Sequence, residues 1–389
     1  MSAVMTHAAP PGLRTDPWLA GSALVLALLG VVMVASASIT MADQVHGQPF
    51  YFLVRQSIYL ALGLCVAAFC MLVPMRAWEQ GSPLLLALGM LLLVVVLLPG
   101  IGHEVNGATR WLRIGPLNLQ ASEPARLLLL MYLCGYVARR RGALESGLKG
   151  LLFPMAVVTL AGVLLMLQPD FGATAVLFAT AIGVLFVGGM RFGYLMLIGV
   201  AGFTSLALLV LTSEYRMRRL TAFLDPWADP WNSGFQLTQS LIAIARGEWL
   251  GVGLGGSVQK LFYLPEAHTD FVFAVFAEEF GLVGVFLIVA LFAVLVVRAY
   301  AISAAAAAAE RVFAACLAFG IGTWIGLQAF INMAVNMGLL PTKGLTLPLV
   351  SYGGSSLLVT GAAIGLLLRI HYELQADGYA GRRKRRSRS

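Results

Sequence analysis

An aspartate and a histidine stand at the border between a polar loop and a long apolar run. His268 and Asp270 follow a glycine-rich segment at 251–256, and the apolar run begins at Phe271. An ionised carboxylate at the centre of a membrane span costs about 2.5 to 3.5 kcal/mol, so a carboxylate kept at the mouth of a span points to chemistry. Asp270 is therefore the first candidate for a catalytic residue. For His268 two roles stay open, a residue that orients or titrates with Asp270 and an ordinary loop histidine.

The glycine-rich segment imitates a nucleotide-binding motif without the structural context of that motif. Gly251, Gly253 and Gly256 satisfy G-x-G-x-x-G. No predicted strand precedes them and no βαβ unit follows, so a dinucleotide site is not expected. The glycines are expected instead to let the backbone turn sharply and approach another segment closely.

The composition is that of a membrane protein. Of 389 residues, 59% are hydrophobic and 11% are charged, with a mean hydropathy of +0.86, whereas about a quarter of the residues of a soluble domain are charged. Ten apolar runs each approach the roughly 20 residues that cross a bilayer as a helix. The predicted fold class is therefore an all-α polytopic membrane protein with about ten transmembrane helices. The runs lie near residues 18–39, 51–73, 82–99, 123–138, 151–167, 172–189, 193–212, 271–297, 311–334 and 345–368.

The chain divides into three predicted parts. Residues 1–17 form a cytoplasmic N-terminal segment, residues 18–370 the membrane domain, and residues 371–389 a basic cytoplasmic tail. Two long loops near 101–122 and 213–270 are predicted on the extracytoplasmic side. An even number of spans puts both termini on one side, and that side carries the basic clusters near span ends, so it is the cytoplasmic side. In a chain of net charge +8, the basic tail is expected to bind anionic lipid rather than nucleic acid.

Further polar residues lie at the predicted outer mouths of spans. Arg110 and Trp111 precede a helix that opens with Glu123 and Arg126. Because residues three apart lie on one helix face, Glu123 and Arg126 can pair and offset part of the cost of burial. A structural ion pair and a direct ligand contact are both open for Glu123. Asp170 follows a proline and is expected to cap the next helix.

An apolar stretch at 332–356 is interrupted by prolines and glycines. An irregular backbone at membrane depth is tolerated only where it is buried in protein or lines a wet cavity. Lys343 lies in this break, between Pro341 and Pro348. Snorkelling to the membrane interface and lining a cavity are both open for this lysine.

Small residues inside the spans carry a weaker signal. Two G-x-x-x-G pairs permit close helix contact and leave room for one more helix to dock. They are Gly322 with Gly326 and Gly361 with Gly365. The four cysteines lie in apolar runs without metal-ligand spacing, which predicts small core residues and neither a disulfide framework nor a metal site. They are Cys65, Cys70, Cys134 and Cys316.

Two segments resemble the signatures of the SEDS family (shape, elongation, division and sporulation proteins). One is PTKGLTLPLVSYGGSS at 341–356, with Asn332 upstream, and the other is GLGGSVQKLFYLPEAHTDFVFAVFAEEFG at 253–281. Further similar segments extend the likeness over nearly the whole chain. They lie at 49–56, 110–123, 168–175 and 224–247.

Details of these segments resemble the cell-division members of the family rather than the elongation members. Thr342-Lys343-Gly344 and QKLFYLPEAHTDF at 259–271 carry that distinction. Gly256 departs from the usual asparagine, and Glu248 stands where glycine is common. Both departures touch the loop and leave Asp270 unchanged.

The resemblance implies a peptidoglycan glycosyltransferase of septal wall synthesis, which polymerises lipid II into glycan strands at the outer face of the cytoplasmic membrane. It also implies that Asp270, which matches the family's essential aspartate, is the catalytic residue. Asp270 would act as general base on the acceptor sugar's hydroxyl group. Because a diphosphate is a good leaving group once cations neutralise it, a second, acid-donating carboxylate is dispensable.

The residues that bind substrate are expected among the polar residues named above. Cations for the diphosphate are expected from Arg55, Arg110, Lys260 and Lys343. A divalent cation that arrives with the diphosphate is a further candidate, and no resident cofactor or metal site is expected. The other candidates for contact with substrate are Trp111, Glu123, His268 and Ser351.

The expected partners are lipid II, the nascent glycan strand and the membrane. By resemblance, the chain is also expected to work with other division proteins and with a class B penicillin-binding protein, a transpeptidase, because it carries no S-x-x-K and K-T-G pair of its own. Two other functions stay open. A flippase for the lipid-linked precursor would also need a polar cavity among broken helices, and a non-catalytic division scaffold would need only its surfaces.

Overall fold

The computed structural model is a bundle of helices with one small sheet. It describes residues 15–105, 108–115, 117–211, 217, 221, 223–232, 234–261, 263–342 and 344–386. Within these residues the helices are α1 Pro17–His46, α2 Tyr51–Leu72, α3 Met75–Val95, α4 Ser122–Ser146, α5 Leu148–Leu167, α6 Phe171–Val187, α7 Phe192–Leu211, α8 Phe235–Gly247, α9 Val272–Ala308, α10 Val312–Asn336 and α11 Gly354–Arg386. The strands are β1 Gly102–Val105, β2 Ala108–Ile114 and β3 Leu117–Gln120.

The helices confirm an all-α polytopic membrane protein. Each of the ten apolar runs coincides with one long helix, and seven of these helices, in the described part of the chain, are long and apolar enough to cross a membrane. α10 is the most enclosed of the seven, with 67% of its most apolar window buried, whereas the same value is 17% for α2 and α3. α10 therefore lies at the centre of the bundle.

Two helices begin elsewhere than the apolar runs suggest. α3 starts at Met75 rather than near 82, because Pro74 opens the helix from an extended conformation and Pro83 is accommodated inside the helix. α11 starts at Gly354 rather than near 345. Pro348 has no amide hydrogen and disfavours helical geometry in the residue before it, so the helix begins only beyond it.

A three-stranded antiparallel sheet joins α3 to α4 and is absent from the sequence-based prediction. β2 is the central strand and pairs with β1 and β3. In the second pairing Trp111 lies opposite Gln120. The sheet is tied to α11, because the amide of Gln120 donates to Ser355 Oγ at 2.7 Å.

The G-x-x-x-G faces are occupied within the chain, so the expectation that they receive a partner helix is wrong. A Cβ at Gly361 would lie 2.5 Å from Gly63 O, and one at Gly365 would lie 2.3 Å from Ala67 O. α11 and α2 thus pack backbone against backbone. Gly322 and Gly326 pack against side chains of α9, namely those of Ala299, Tyr300 and Val296. Three of the cysteines are buried as predicted, whereas Cys65 is exposed on the surface of α2.

Polar connections collect at one end of the bundle, and ion pairs that join α1 to α9 and α10 to α11 lie at the other. At the first end the amide of Tyr352 donates to His268 O at 2.9 Å, and the sheet contacts α11. At the other end Arg298 pairs with Asp16 at 2.5 Å, and Arg311 pairs with Glu373 at 2.9 Å. The first end holds the candidate catalytic residues.

Candidate functional site

Asp270 lies at the first end of the bundle, two residues before α9 begins. Its side chain is half-buried, and its main-chain oxygen accepts hydrogen bonds from Asn332 Nδ2 at 2.9 Å and Asn336 Nδ2 at 3.0 Å. A Cβ built on Gly344 would lie 3.1 Å from Asp270 Oδ2. Glycine therefore permits the 344–346 segment to approach the carboxylate closely. The two segments that resemble the SEDS signatures meet at this residue.

The irregular segment between α10 and α11 is buried in protein, as its prolines and glycines predict. Leu345, Leu347 and Val350 are all 5% exposed or less. Ser351 is 2% exposed, and its hydroxyl oxygen accepts from the amide of Leu347 at 2.8 Å. Ser351 thus stabilises a turn. Lys343 lies outside the described residues.

The loop before Asp270 is docked into a break in α9. Gly281 interrupts the helix at φ 64° and ψ −165°. Four main-chain hydrogen bonds of 2.9 to 3.2 Å join residues 248–253 to residues 278–283 around the break. They pair carbonyl and amide groups that the interrupted helix leaves without their helical partners, as buried backbone requires. A Cβ at Gly251 would lie 2.1 Å from Glu279 O, so the predicted close backbone approach at this glycine is confirmed.

Glu278 holds the same loop with its side chain. This carboxylate is 0% exposed and accepts from Ser257 Oγ at 2.5 Å, from the amide of Val258 at 3.1 Å and from the amide of Gln259 at 3.4 Å. Arg246 of α8 lies 3.3 Å away and contributes a positive charge. A buried carboxylate needs such donors, since an unpaired one costs several kcal/mol.

Lys260 forms a buried ion pair instead of facing an open site. Lys260 is 8% exposed, and its Nζ lies 2.7 Å from Glu279 Oε1 and 2.9 Å from Ser36 Oγ. Ser36 also donates to Glu279 Oε1 at 2.7 Å. The three residues join the loop to α9 and α1. The charge of Lys260 is therefore already neutralised within the fold.

His268 packs between two aromatic rings. Its ring centroid lies 4.6 Å from that of Phe52 and 5.6 Å from that of Tyr352. Burial lowers the pKa of His268 below its ordinary value, and the nearby charge of Glu266 opposes that shift. His268 is thus a neutral packing residue at pH 7, and it joins α2 to the chain segment before Asp270.

Arg55 borders an open cavity at the same end of the bundle. The cavity has a volume of about 370 Å³ and is lined by residues 47–51, Val54 and Arg55. The Arg55 guanidinium lies 5.0 Å from the centroid of the Tyr51 ring, a cation–π contact that orients the side chain. Burial raises the pKa of Tyr352, and a hydrogen bond with Arg55 opposes that shift. Arg55 therefore contacts the aromatic cluster that surrounds His268.

Arg110 and Asp170 both stabilise the turn between α5 and α6. Arg110 donates to Gln168 O at 2.9 Å and to Pro169 O at 2.5 Å. Asp170 accepts from the amide of Ala173 at 3.1 Å, so the predicted cap is confirmed. Arg110 thus binds carbonyl groups at the end of a helix, where positive charge is favoured.

Glu123 and Arg126 form the ion pair that their spacing predicts. The two side chains are 2.5 Å apart and buried, and Arg126 lies 5.2 Å from the Trp324 ring centroid. The pair joins α4 to α10, which favours the structural role for Glu123. Trp111 is half-buried in β2, in the same strand as Arg110.

Sequence reasoning missed several residues that position this site. Two adjacent glutamates inside an apolar run, Glu278 and Glu279, were a visible signal, because acidic residues inside a span are rare without a partner. Asn336 had no comparable signal. Among the described residues, no group of three or more His, Cys, Asp or Glu side chains is placed to hold a metal ion. A divalent cation that arrives with the substrate stays a prediction.

Comparison with known proteins gives the family. The sequence-family model of the FtsW, RodA and SpoVE cell cycle proteins matches residues 18–376. The probable peptidoglycan glycosyltransferase FtsW of Nitrosococcus halophilus is 55% identical over 95% of each chain. The protein of the same name from Legionella pneumophila is 49% identical over 92% of this chain and 91% of its own.

Solved structures share the fold. One, described as the structural coordination of polymerization and crosslinking by a peptidoglycan synthase complex, superposes with a TM-score of 0.77 at 33% identity, over 93% of this chain and 99% of that chain. The rod shape determining protein RodA of Thermus thermophilus superposes with a TM-score of 0.67 at 30% identity, over 92% and 97%. The resemblance to SEDS proteins is confirmed, and the chain belongs to the FtsW, RodA and SpoVE family of cell cycle proteins, with FtsW proteins among its relatives.

Proposed function

We propose that this chain polymerises lipid II in cell division, with Asp270 as its general base. It is a peptidoglycan glycosyltransferase, the activity that the names of its FtsW relatives give them. The observation that carries the proposal is the meeting of two polar segments at one end of the bundle. Asp270 adjoins Gly344, and Asn332 donates to both Asp270 O and Leu345 O.

The reaction needs one carboxylate and one good leaving group. Asp270 takes the proton from a hydroxyl group of the acceptor sugar while that oxygen attacks the anomeric carbon of the donor. A new glycosidic C–O bond forms, the C–O bond to the diphosphate breaks, and its electron pair leaves with the lipid-linked diphosphate. Positive charge near the diphosphate lowers the barrier because negative charge develops there in the transition state.

Arg55 is the strongest candidate for that positive charge. Arg110 binds two carbonyl oxygens and Lys260 is neutralised by a carboxylate, whereas Arg55 borders an open cavity. Replacing Arg55 by Gln removes charge-assisted hydrogen bonds worth about 1.5 to 3 kcal/mol, so we expect a roughly ten- to hundredfold lower polymerisation rate. Arg141→Gln, at the other end of the bundle, is the matched control.

The Asp270 end of the bundle faces outward, and both termini are cytoplasmic. The support for this orientation is the set of basic residues at the opposite end, which stay on the cytoplasmic side of bacterial membranes. They include Arg139, Arg191, Arg298 and Arg311. In this orientation the site meets lipid-linked sugars at the outer face of the cytoplasmic membrane.

Polymerisation in detergent micelles separates this function from the two alternatives. Micelles have no second compartment, so a flippase has nothing to transport and a scaffold makes no product. We expect the purified chain, alone or with its transpeptidase partner, to convert lipid II into glycan strands resolved on a gel. No product under either condition would contradict the proposal.

A class B penicillin-binding protein is the proposed partner, together with other division proteins. The structural match to a peptidoglycan synthase complex supports it. Since the G-x-x-x-G faces are used internally, the partner helix docks on another exposed helix face. We expect the two proteins to co-purify in mild detergent and the pair to polymerise faster than the chain alone. Equal rates at matched enzyme concentration would remove the activation.

A further inference from the structure

Two buried asparagines of α10 hold the main chain of Asp270. Asn332 and Asn336 lie one helical turn apart and are 2% and 0% exposed. Both donate from Nδ2 to the same atom, Asp270 O, at 2.9 and 3.0 Å. We propose that this asparagine clamp, Asn332 with Asn336, sets the orientation of the Asp270 carboxylate. The two asparagines are then positioning residues for glycosyl transfer, an inference that rests on the proposed function of Asp270.

The amide that would pair with the Asp270 carbonyl in a regular helix has other partners. In a continuous helix this carbonyl would accept from the amide of Ala274. That amide instead donates to Phe271 O at 3.0 Å and to Asn336 Oδ1 at 3.2 Å. A carbonyl left unpaired here would be destabilising, because it would lose its hydrogen bonds to water without gaining others. The asparagine clamp therefore replaces hydrogen bonds of a regular helix. Its two amide nitrogens donate to Asp270 O, and Asn336 Oδ1 accepts from the amide of Ala274.

The clamp also fixes the segment that faces the carboxylate. Asn332 Nδ2 donates to Leu345 O at 2.6 Å, and Asn336 Nδ2 donates to Asn332 O at 2.8 Å. The Asn332 amide thus holds both Asp270 and the 344–346 segment, and Asn336 supports it through Asp270 and Asn332. With the main chain fixed, the carboxylate moves only about its own side-chain torsions. A misplacement of about 1 Å in a reacting group can cost about a hundredfold in rate.

Gln328 provides a matched control on the same helix. It lies one turn before Asn332, is 1% exposed, and donates from Nε2 to Thr346 O at 3.0 Å. Its Oε1 accepts from Trp324 Nε1 at 2.8 Å. Gln328 therefore ties α10 to the same irregular segment without a hydrogen bond to Asp270. Loss of its amide tests stability alone.

The experiment compares Asn332→Leu, Asn336→Leu and Gln328→Leu in the full-length chain. Initial polymerisation rates at several lipid II concentrations give kcat and KM, and thermal unfolding gives the melting temperature. We expect each asparagine variant to lose at least about tenfold in kcat with KM within about twofold. Gln328→Leu should keep kcat within about threefold at a similar loss of melting temperature. The double asparagine variant should lose less than the product of the single losses, because both amides share one acceptor.

Two results would overturn the clamp. One is wild-type kcat in both asparagine variants, and the other is an equal loss of kcat in Gln328→Leu. Either result leaves the proposed function intact if Asp270→Asn is inactive, so the two failures are distinguishable. Should a leucine variant fail to fold, Asn332→Ala, Asn336→Ala and Gln328→Ala repeat the comparison with side chains that have no N–H to donate. In that comparison too, wild-type kcat in the asparagine variants or an equal loss of kcat in the Gln328 variant would overturn the clamp.

Discussion

The residues proposed to bind diphosphate differ in what their charges already contact. Lys260 Nζ lies 2.7 Å from a buried carboxylate, and Arg110 caps a helix end, so either would have to give up a partner to bind substrate. Arg55 packs on the Tyr51 ring beside an open cavity and keeps its charge unpaired by any carboxylate within the described residues. This contrast makes Arg55 the preferred cation at the Asp270 end of the bundle.

Stability should depend on pH through His268. Burial lowers its pKa below the ordinary value of 6.5, so near and below pH 6.5 the unfolded chain binds a proton that the folded chain does not. Stability present above pH 6.5 is therefore lost as the pH falls through that value. Thermal unfolding between about pH 7.5 and about pH 5.5 should show a steeper fall for the wild type than for His268→Phe, which keeps the ring packing. Equal slopes would show that His268 is not buried as a neutral ring.

Local spacing explains which residue contacts the sequence predicts. Glu123 pairs with Arg126 and Asp170 caps its own helix, and both contacts span three residues. Lys260 and Glu279 are 19 residues apart and meet only because α9 breaks at Gly281. A contact that depends on a tertiary break leaves no periodic signal in the sequence.

At the level of elements, the break in α9 organises the loop that leads to Asp270. Main-chain bonds from residues 248–253 and side-chain bonds from Glu278 and Glu279 fix this loop against α9. The loop is thus attached to the bundle through both its main chain and its side-chain contacts. These contacts help to place the start of α9, and with it the carboxylate of Asp270.

Removing one member of the buried pair should cost more than removing both. Glu279→Gln leaves Lys260 buried without a counter-charge, which costs about 3 to 5 kcal/mol. In Lys260→Met with Glu279→Gln no uncompensated charge remains, so we expect the double variant to be more stable than Glu279→Gln alone. Thermal unfolding of the single and double variants measures this. Additive losses would show that the pair is exposed to water.

Glu248 occupies a backbone conformation that favours glycine. Its φ is 45° and its ψ is −133° at the end of α8. Side chains rarely adopt this conformation, and such strain costs about 1 to 3 kcal/mol. Glu248→Gly should therefore stabilise the chain by about 1 kcal/mol, seen as a higher melting temperature. A lower melting temperature would mean that the glutamate side chain compensates the strain.

Helices of about 17 residues or more follow from the hydropathy of the sequence, whereas the 13-residue α8 and the short strands do not. The long helices coincide with the apolar runs because burial in lipid dictates their length and composition. β1 and β3 have four residues each, too few to show a periodic pattern. The sheet depends on tertiary contacts. β2 pairs with a strand on each side, and Gln120 of β3 donates to Ser355 of α11.

On the scale of the whole molecule, the two ends of the bundle have different chemistry. One end carries the sheet, the docked loop and Asp270, and the other carries ion pairs between helices such as Arg298 with Asp16. The predicted separation of outer loops from inner basic residues is thus present as two ends of one structure. Which of the two ends faces outward across the membrane stays a proposal.

Labelling of single cysteines with a membrane-impermeant maleimide tests that direction. Leu254→Cys lies in the docked loop, where residue 254 is 59% exposed, and Glu310→Cys lies at the other end between α9 and α10. In intact cells of a strain whose protein lacks the native cysteines, the first should react and the second should not. Ser257 is unsuitable because it is 2% exposed. Labelling with the opposite sidedness would place Asp270 in the cytoplasm.

The most direct measurement is the polymerisation rate of Asp270→Asn from lipid II, in the same preparation in which its binding of lipid II is measured. The substitution keeps size and polarity but removes the base, whose proton transfer contributes about 10² to 10⁴ in rate. We expect at least a hundredfold loss of rate, roughly the lower end of that range, with lipid II binding and melting temperature near wild type. Asp225→Asn, an exposed aspartate of the loop before α8, should polymerise normally. Glycan strands made by Asp270→Asn at near wild-type rate would contradict the assignment of Asp270 as the catalytic base.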